Sequence, residues 1–257
     1  MRRQGWASPI RNRMLALLCA ASLSACSSTL PPSSGPLPPV ADIPLASRTA
    51  CVPASLPDID FDTSYDGPTV DRKLGFTELP KMVTGDALIG SSQHPSYLGI
   101  TIGDARVNVQ IYAAPVRISR DVWCAKLQRA KVTIEWTDAI HLASELDPDS
   151  CADRLVRQTM AEHATMNHDA LPVLKKKIDV AMRREARNAV GSTSFDNALA
   201  LLRLRLVAVA LGSSRSVMDE LAHRQGALEQ GSEADLVAAT CGRKAVDEVL
   251  SRRQVGA

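Results

Sequence analysis

Two groups of residues in this chain have the types and spacing to do chemistry. The first is Glu162-His163-Ala-Thr-Met-Asn-His168, which offers a carboxylate and two imidazoles within one short stretch. Histidines at i and i+4 share one face of a helix and can bind zinc, while a glutamate beside the first activates the metal-bound water. Here the spacing is five, and at about 100° per residue His168 lies about 140° around a helix from His163. Only a local π-bulge would bring the two imidazoles together. The second group is the thiols: Cys26, directly after Leu23-Ser24-Ala25, and then Cys51, Cys124, Cys151 and Cys241.

Cys26 is set up by what precedes it. Arg2, Arg3, Arg11 and Arg13 form a basic start, followed by an apolar stretch from Met14 to Ala25. A transmembrane helix needs about 20 apolar residues, whereas a secretory signal needs only about 7 to 15 ahead of a small-residue cleavage site. Leu23-Ser24-Ala25-Cys26 resembles the lipobox of bacterial lipoproteins. The resemblance covers the export signal alone. It implies that Cys26 receives a diacylglyceryl thioether and, after cleavage, an N-acyl chain such as palmitate. Several chains anchor firmly where one holds only marginally. Ser27 after the lipidated cysteine is similar to lipoproteins sent on to the outer membrane, facing the periplasm. Cys19 would be lost with the signal.

Residues 1–25 carry four of the 30 basic residues and no acid, so the remaining 232 residues hold 26 basic against 28 acidic side chains, a net of −2. The basicity of the whole chain is thus a targeting feature, and no nucleic-acid partner is expected. Residues 26–49 include five prolines between Ser27 and Pro39 and read as a Pro/Ser-rich tether. Folded sequence is expected from about Ala50 to Ala257, enough for a sizeable core.

In an oxidising compartment the four remaining cysteines favour two disulfides. Three pairings are possible. Cys124–Cys151 with Cys51–Cys241 is the favoured one, because it would staple a strand to the next helix and the N-terminal entry to the C-terminal helix. A zinc site competes, but no close ligand pair occurs among these cysteines.

The elements that must position these residues follow from periodicity. Val107, Val109 and Ile111, and then Val132, Ile134 and Trp136, alternate with polar or small neighbours as half-buried strands do. Gly103-Asp104 reads as a turn after Gly99–Ile102, giving a small antiparallel sheet between Tyr97 and about Leu146. From Pro148 the period becomes helical, with Asp149 or Ser150 as cap. Pro172 is expected to break or kink the run. A second helix should span Val173 to about Ala189, with Lys175-Lys-Lys177 and Arg183-Arg184 on a solvated face. A third should run from Phe195 to about Leu211, a buried core helix, and glycines at 212, 226 and 231 should punctuate shorter ones beyond it. The fold class expected is α+β: a small sheet early, helices late.

The stretch Ile140 to His168, with its Ser150-Cys151 helix start, resembles a bacterial envelope family of predicted zinc proteases in which a strand, a Ser-Cys helix start and an H-E-x-x-H helix follow in order. The resemblance spans residues 97–185. Aligning His163 with the first ligand puts Ala164 where the family has its general base and Asn167 where it has its second histidine. Alanine cannot take a proton from water, and asparagine is a poor zinc ligand. His163 therefore reads as a packed or capping histidine, Glu162, His168 and Asp169 as exposed helix residues, His94 as a loop residue, and His141 as lying on or beside a strand. No G-x-S-x-G, P-loop or dinucleotide-binding glycine pattern occurs.

The expectation is a non-enzymatic envelope lipoprotein: a degenerate zincin-like scaffold anchored to the bilayer through Cys26, serving a binding, scaffolding or assembly role with a protein partner in the envelope. It needs no cofactor beyond the covalent lipid. The alternative is a divergent metal-dependent hydrolase in which Glu162 is catalytic and His163 and His168 hold zinc.

Overall fold

The computed structural model describes residues 37–82, 97–228 and 233–252. Cys26 and His94 lie outside them. Among these residues, strands β1 (Asp58–Asp71), β2 (Gly99–Ser119), β3 (Val122–Leu142) and β4 (Gly191–Ser192) form one sheet, accompanied by a 3-10 turn (Leu45–Ser47) and six α-helices: α1 (Arg48–Cys51), α2 (Leu79–Met82), α3 (Cys151–Glu185), α4 (Phe195–Leu228), α5 (Glu233–Cys241) and α6 (Arg243–Ser251). The class is α+β, with the helices mostly late in the chain.

The sheet is mixed rather than antiparallel. β2 and β3 form one long hairpin, and β1 pairs parallel to β3 on its other edge, giving the order β1-β3-β2, while β4 adds a short antiparallel pairing at Trp123 and Cys124. β1 escapes a periodicity search because its outward positions are Asp58, Asp60, Asp62 and Ser64, and only Ile59, Phe61 and Tyr65 mark an inward face. Its outer acids pair with the next strand: Arg129 bonds Asp60, and Lys131 reaches Asp62 at 3.6 Å. A bulge between Tyr65 and Pro68 contains Gly67 at φ +75°, a conformation other residues avoid. Pro68 is tolerated because β1 is an edge strand.

α3 and α4 cover one face of the sheet. α3 begins at Ser150, whose side chain accepts from the Asp153 amide at 3.1 Å, as a helix N-cap does. It then runs for 35 residues, about 52 Å at 1.5 Å per residue. Pro172 lies inside this single helix. Burial of Leu171 and Leu174 beside it, and of Ile178 and Met182 beyond, holds both halves on the sheet and offsets the roughly 3 kcal/mol that an internal proline costs. α4 likewise continues through Gly212 as one 34-residue helix, because Val217 and Leu221 extend its buried stripe. No helix among the described residues is long and apolar enough to cross a membrane.

The apolar interior falls into two main clusters and a small third. One joins Ala130, Val132, Ile134 and Trp136 to the later half of α3 and to α4. Another joins Ile140 and Leu142 to Val156, Met160 and Ala164 on early α3, and to Val237 and Val246 on α5 and α6. The third is Ile43, Cys51 and Cys124, flanked by Val116, Ile118 and Val122 at the hairpin end. Contacts with the body of the fold begin ahead of position 50: Ala41 bridges Gly191, and Ser192 Oγ donates to the Pro39 carbonyl at 2.5 Å.

Two disulfides are present, in a pairing other than the favoured one. Cys51 bonds Cys124 and Cys151 bonds Cys241, with Cα–Cα distances of 5.9 and 5.8 Å. Cys124 and Cys151 cannot meet, because Cys124 lies at the start of the 21-residue strand β3 and Cys151 lies beyond its far end.

Candidate functional site

The site grows from Asp138. Along β3 the inward positions run Val132, Ile134, Trp136, Asp138, Ile140, so strand alternation carries a carboxylate into the apolar face, where it is 2% exposed. Burying a charge is costly unless hydrogen bonds replace water. Three donors do so. Trp136 Nε1 donates to Oδ1 at 3.1 Å, Asn167 Nδ2 donates to Oδ1 at 2.7 Å, and the Tyr65 hydroxyl donates to Oδ2 at 2.8 Å. Because an indole N–H and an amide N–H can only donate, Asp138 Oδ1 is the acceptor of both.

The network extends to α4. Gln225 Nε2 donates to Asn167 Oδ1 at 2.8 Å and lies 3.4 Å from the His163 carbonyl. β1, β3, α3 and α4 are thus joined through one buried carboxylate. Burial, reinforced by the bond to Asp138 and its charge, pushes the Tyr65 phenol up to about 12, so it stays protonated and donating.

Gly103 makes the arrangement possible. It is not in a turn; it lies within β2, directly opposite Asp138 in register. A Cβ there would meet Asn167 Nδ2 at 2.9 Å and Asp138 Oδ1 at 3.0 Å. The glycine is needed for close approach, not for chain reversal.

The residues singled out from the sequence separate. His163 and Asn167, four apart, share the buried face of α3, at 6% and 2% exposed. Ala164 is buried in the second apolar cluster. Glu162 faces outward and accepts from Gln158 Nε2 at 3.1 Å. His168 stands at the rim of the network, its ring 4.7 Å from that of Tyr65 and its Nδ1 3.8 Å from exposed Asp169. His141, on β3, lies 3.0 Å from Asp71, and that contact holds the Asp71 carboxyl below its ordinary value. The basic residues of α3 are engaged in part: Lys177 pairs with Glu220 at 2.9 Å, Arg183 with Asp179 at 2.8 Å, and Lys175 sits over the Phe61 ring. Among the described residues no group of three or more His, Cys, Asp or Glu comes together as a metal site.

A second buried carboxylate organises the start of α3. Asp153, fully buried, accepts from Arg72 at 2.5 Å, from Arg157 at 2.8 Å and from the Asp149 amide at 3.0 Å. Its place in the first turn also suits the positive end of the helix dipole.

Sequence reasoning missed Asp138, Tyr65, Trp136 and Gln225 as one constellation. One signal was present: an aspartate in phase with Val132, Ile134, Trp136 and Ile140 on an otherwise apolar strand face. Nothing local marks Tyr65 or Gln225, whose partners are 73 and 58 residues away. Compared with known proteins, the chain matches no family model, no curated protein and no solved structure.

Proposed function

We propose that the protein is a membrane-anchored lipoprotein of the bacterial envelope whose periplasmic domain works by binding or scaffolding, with another envelope protein as partner, and not by chemistry at the α3 helix. The observation that carries this reading is the use of Asn167. The residue in the second-ligand position of the H-E-x-x-H pattern spends its amide on Asp138 and its carbonyl on Gln225. Beside it, Ala164 has no group with which to activate water, and Glu162 points away from the sheet. Two disulfides suit an oxidising compartment, and Leu23-Ser24-Ala25-Cys26 supports anchoring through acyl chains on Cys26, in the outer membrane facing the periplasm.

The test is made on the full chain recovered from membranes without chelators. Mass spectrometry of its N-terminal peptide should find Cys26 at the terminus carrying acyl chains. Metal analysis should find no stoichiometric zinc, with no difference between the wild type and His163→Ala. One zinc per chain, lost in His163→Ala, would overturn the binding reading in favour of a hydrolase built on Glu162, His163 and His168.

A further inference from the structure

The end of the molecule nearest the tether carries features that its own core does not use. Leu37, Val40, Leu45 and Leu56 are 76%, 73%, 78% and 58% exposed, although they share a segment with buried Ile43 and Cys51. The Cys51–Cys124 disulfide and the Ala41–Gly191 bridge hold that segment against the β2–β3 hairpin end and β4, with these aliphatic side chains turned outward. Around them stand exposed arginines: Arg48 on the segment itself, Arg117 and Arg120 at the hairpin end, Arg184 and Arg187 where α3 finishes. Arg187, Leu56 and Val52 line one shallow groove of about 330 Å³. The exposed acids on the same stretches are Asp42, Asp58 and Asp121, three against five arginines, so positive charge predominates.

Covalent geometry supplies the second argument. The chain from Cys26 to Leu37 spans at most roughly 40 Å, whereas α3 alone is about 52 Å long. With Cys26 in a bilayer, the Cys151–Cys241 end cannot be presented end-on to that bilayer, and the Cys51–Cys124 end can. An aliphatic patch ringed by arginine matches an interface whose interior is apolar and whose headgroups are anionic.

We infer that this pole is a docking surface for an anionic lipid bilayer: Leu37, Val40, Leu45 and Leu56 enter the headgroup boundary and the surrounding arginines pair with lipid phosphates. The inference rests on the anchoring reading above and adds an orientation to it. The domain stands on the membrane with its Cys151–Cys241 end outermost.

The experiment uses the full chain recovered from membranes and mixed with excess vesicles of phosphatidylcholine, with or without phosphatidylglycerol. Hydrogen exchange should slow across residues 40–56 and 117–123 only when phosphatidylglycerol is present, while residues 143–160 and 233–252 stay unchanged. Arg120→Gln with Arg187→Gln should lower the ratio of docked to undocked protein roughly 25-fold, about fivefold per arginine. Both residues are exposed, and unchanged exchange elsewhere would show that the variant is folded. Equal exchange on the two vesicle types, or slowing confined to the opposite end, would overturn the docking surface. The mass of the N-terminal peptide from the same preparation judges the anchor separately: an unmodified Cys26 removes the anchoring reading, while the exchange result still decides whether this pole binds lipid.

Discussion

The half of the molecule closed by Cys51–Cys124 and the half closed by Cys151–Cys241 differ in what lies beneath their disulfides. Under the first, the local cluster is Ile43, Cys51 and Cys124 with a few partly buried neighbours, and the tied segment is irregular chain with a 3-10 turn at Leu45–Ser47 leading into the four-residue α1. Under the second, two helices, α5 and α6, pack through Val237, Val246 and Val249 onto early α3 and the ends of β2 and β3. Between the two main clusters runs the polar seam of Asp138, Asn167, Tyr65 and Gln225. Trp136 belongs to one cluster and Ile140 to the other, with Asp138 between them, as Asn167 lies between Ala164 and Ala170 on α3. Covalent ties matter most where little apolar surface is available to hold a segment. Buried hydrogen bonds can set how two apolar bodies meet.

The largest effects should come from the disulfides. Their loops close over 73 and 90 residues, so in the chain-entropy picture each stabilises by about 4.5 kcal/mol. Cys51→Ser with Cys124→Ser should also free residues 37–57 to proteolysis, whereas Cys151→Ser with Cys241→Ser should leave α5 docked. Denaturant midpoints and cleavage maps check both, and identical cleavage patterns would break the contrast between the halves.

Next in size is Asp138→Ala, which strands the donors of Trp136, Asn167 and Tyr65 in the interior and should cost about 3 kcal/mol.

Tyr65→Phe removes one donor to the buried carboxyl and should cost about 1.5 kcal/mol at neutral pH. It also has a pH signature. The phenol is raised from 10.0 to about 12 on folding, so the stability it contributes is complete below pH 10 and is lost as pH rises through about 12. Tyr65→Phe should flatten that alkaline decline in a series of melting curves. Glu162→Gln should be the mildest, within about 0.5 kcal/mol, since Glu162 is exposed and its hydrogen bond is to exposed Gln158. A large effect on stability or metal content would mean that the outer face of α3 has a role not visible in its contacts.

Much of the local structure was legible in advance. Alternation at Val107–Ile111 and Val132–Trp136 marks β2 and β3, Ser150, one of the two caps expected, caps α3, and the i, i+4 spacing of His163 and Asn167 sets both on one buried face. Each of these depends on a period of two or 3.6 residues that neighbours in the chain impose. The lengths of α3 and α4 were not legible, because Pro172 and Gly212 are locally unfavourable to a helix and only packing against the sheet overrides them. Gly103 was ambiguous for a related reason. A glycine that reverses a chain and one that admits a carboxylate leave the same mark in a sequence.

The sequence by itself determined the α+β class, the two main strands, the start of α3 and an even set of cysteines suited to two disulfides, all properties of composition and short-range period. Tertiary structure alone decided that β1 joins the sheet in parallel, that Cys51 finds Cys124 and Cys151 finds Cys241, and that Tyr65, Asp138, Asn167 and Gln225 meet. These are meetings across 29 to 90 residues. What selects them is the cost of leaving a carboxylate, an edge strand or an apolar face without a partner, and that cost is set only when the whole chain is packed.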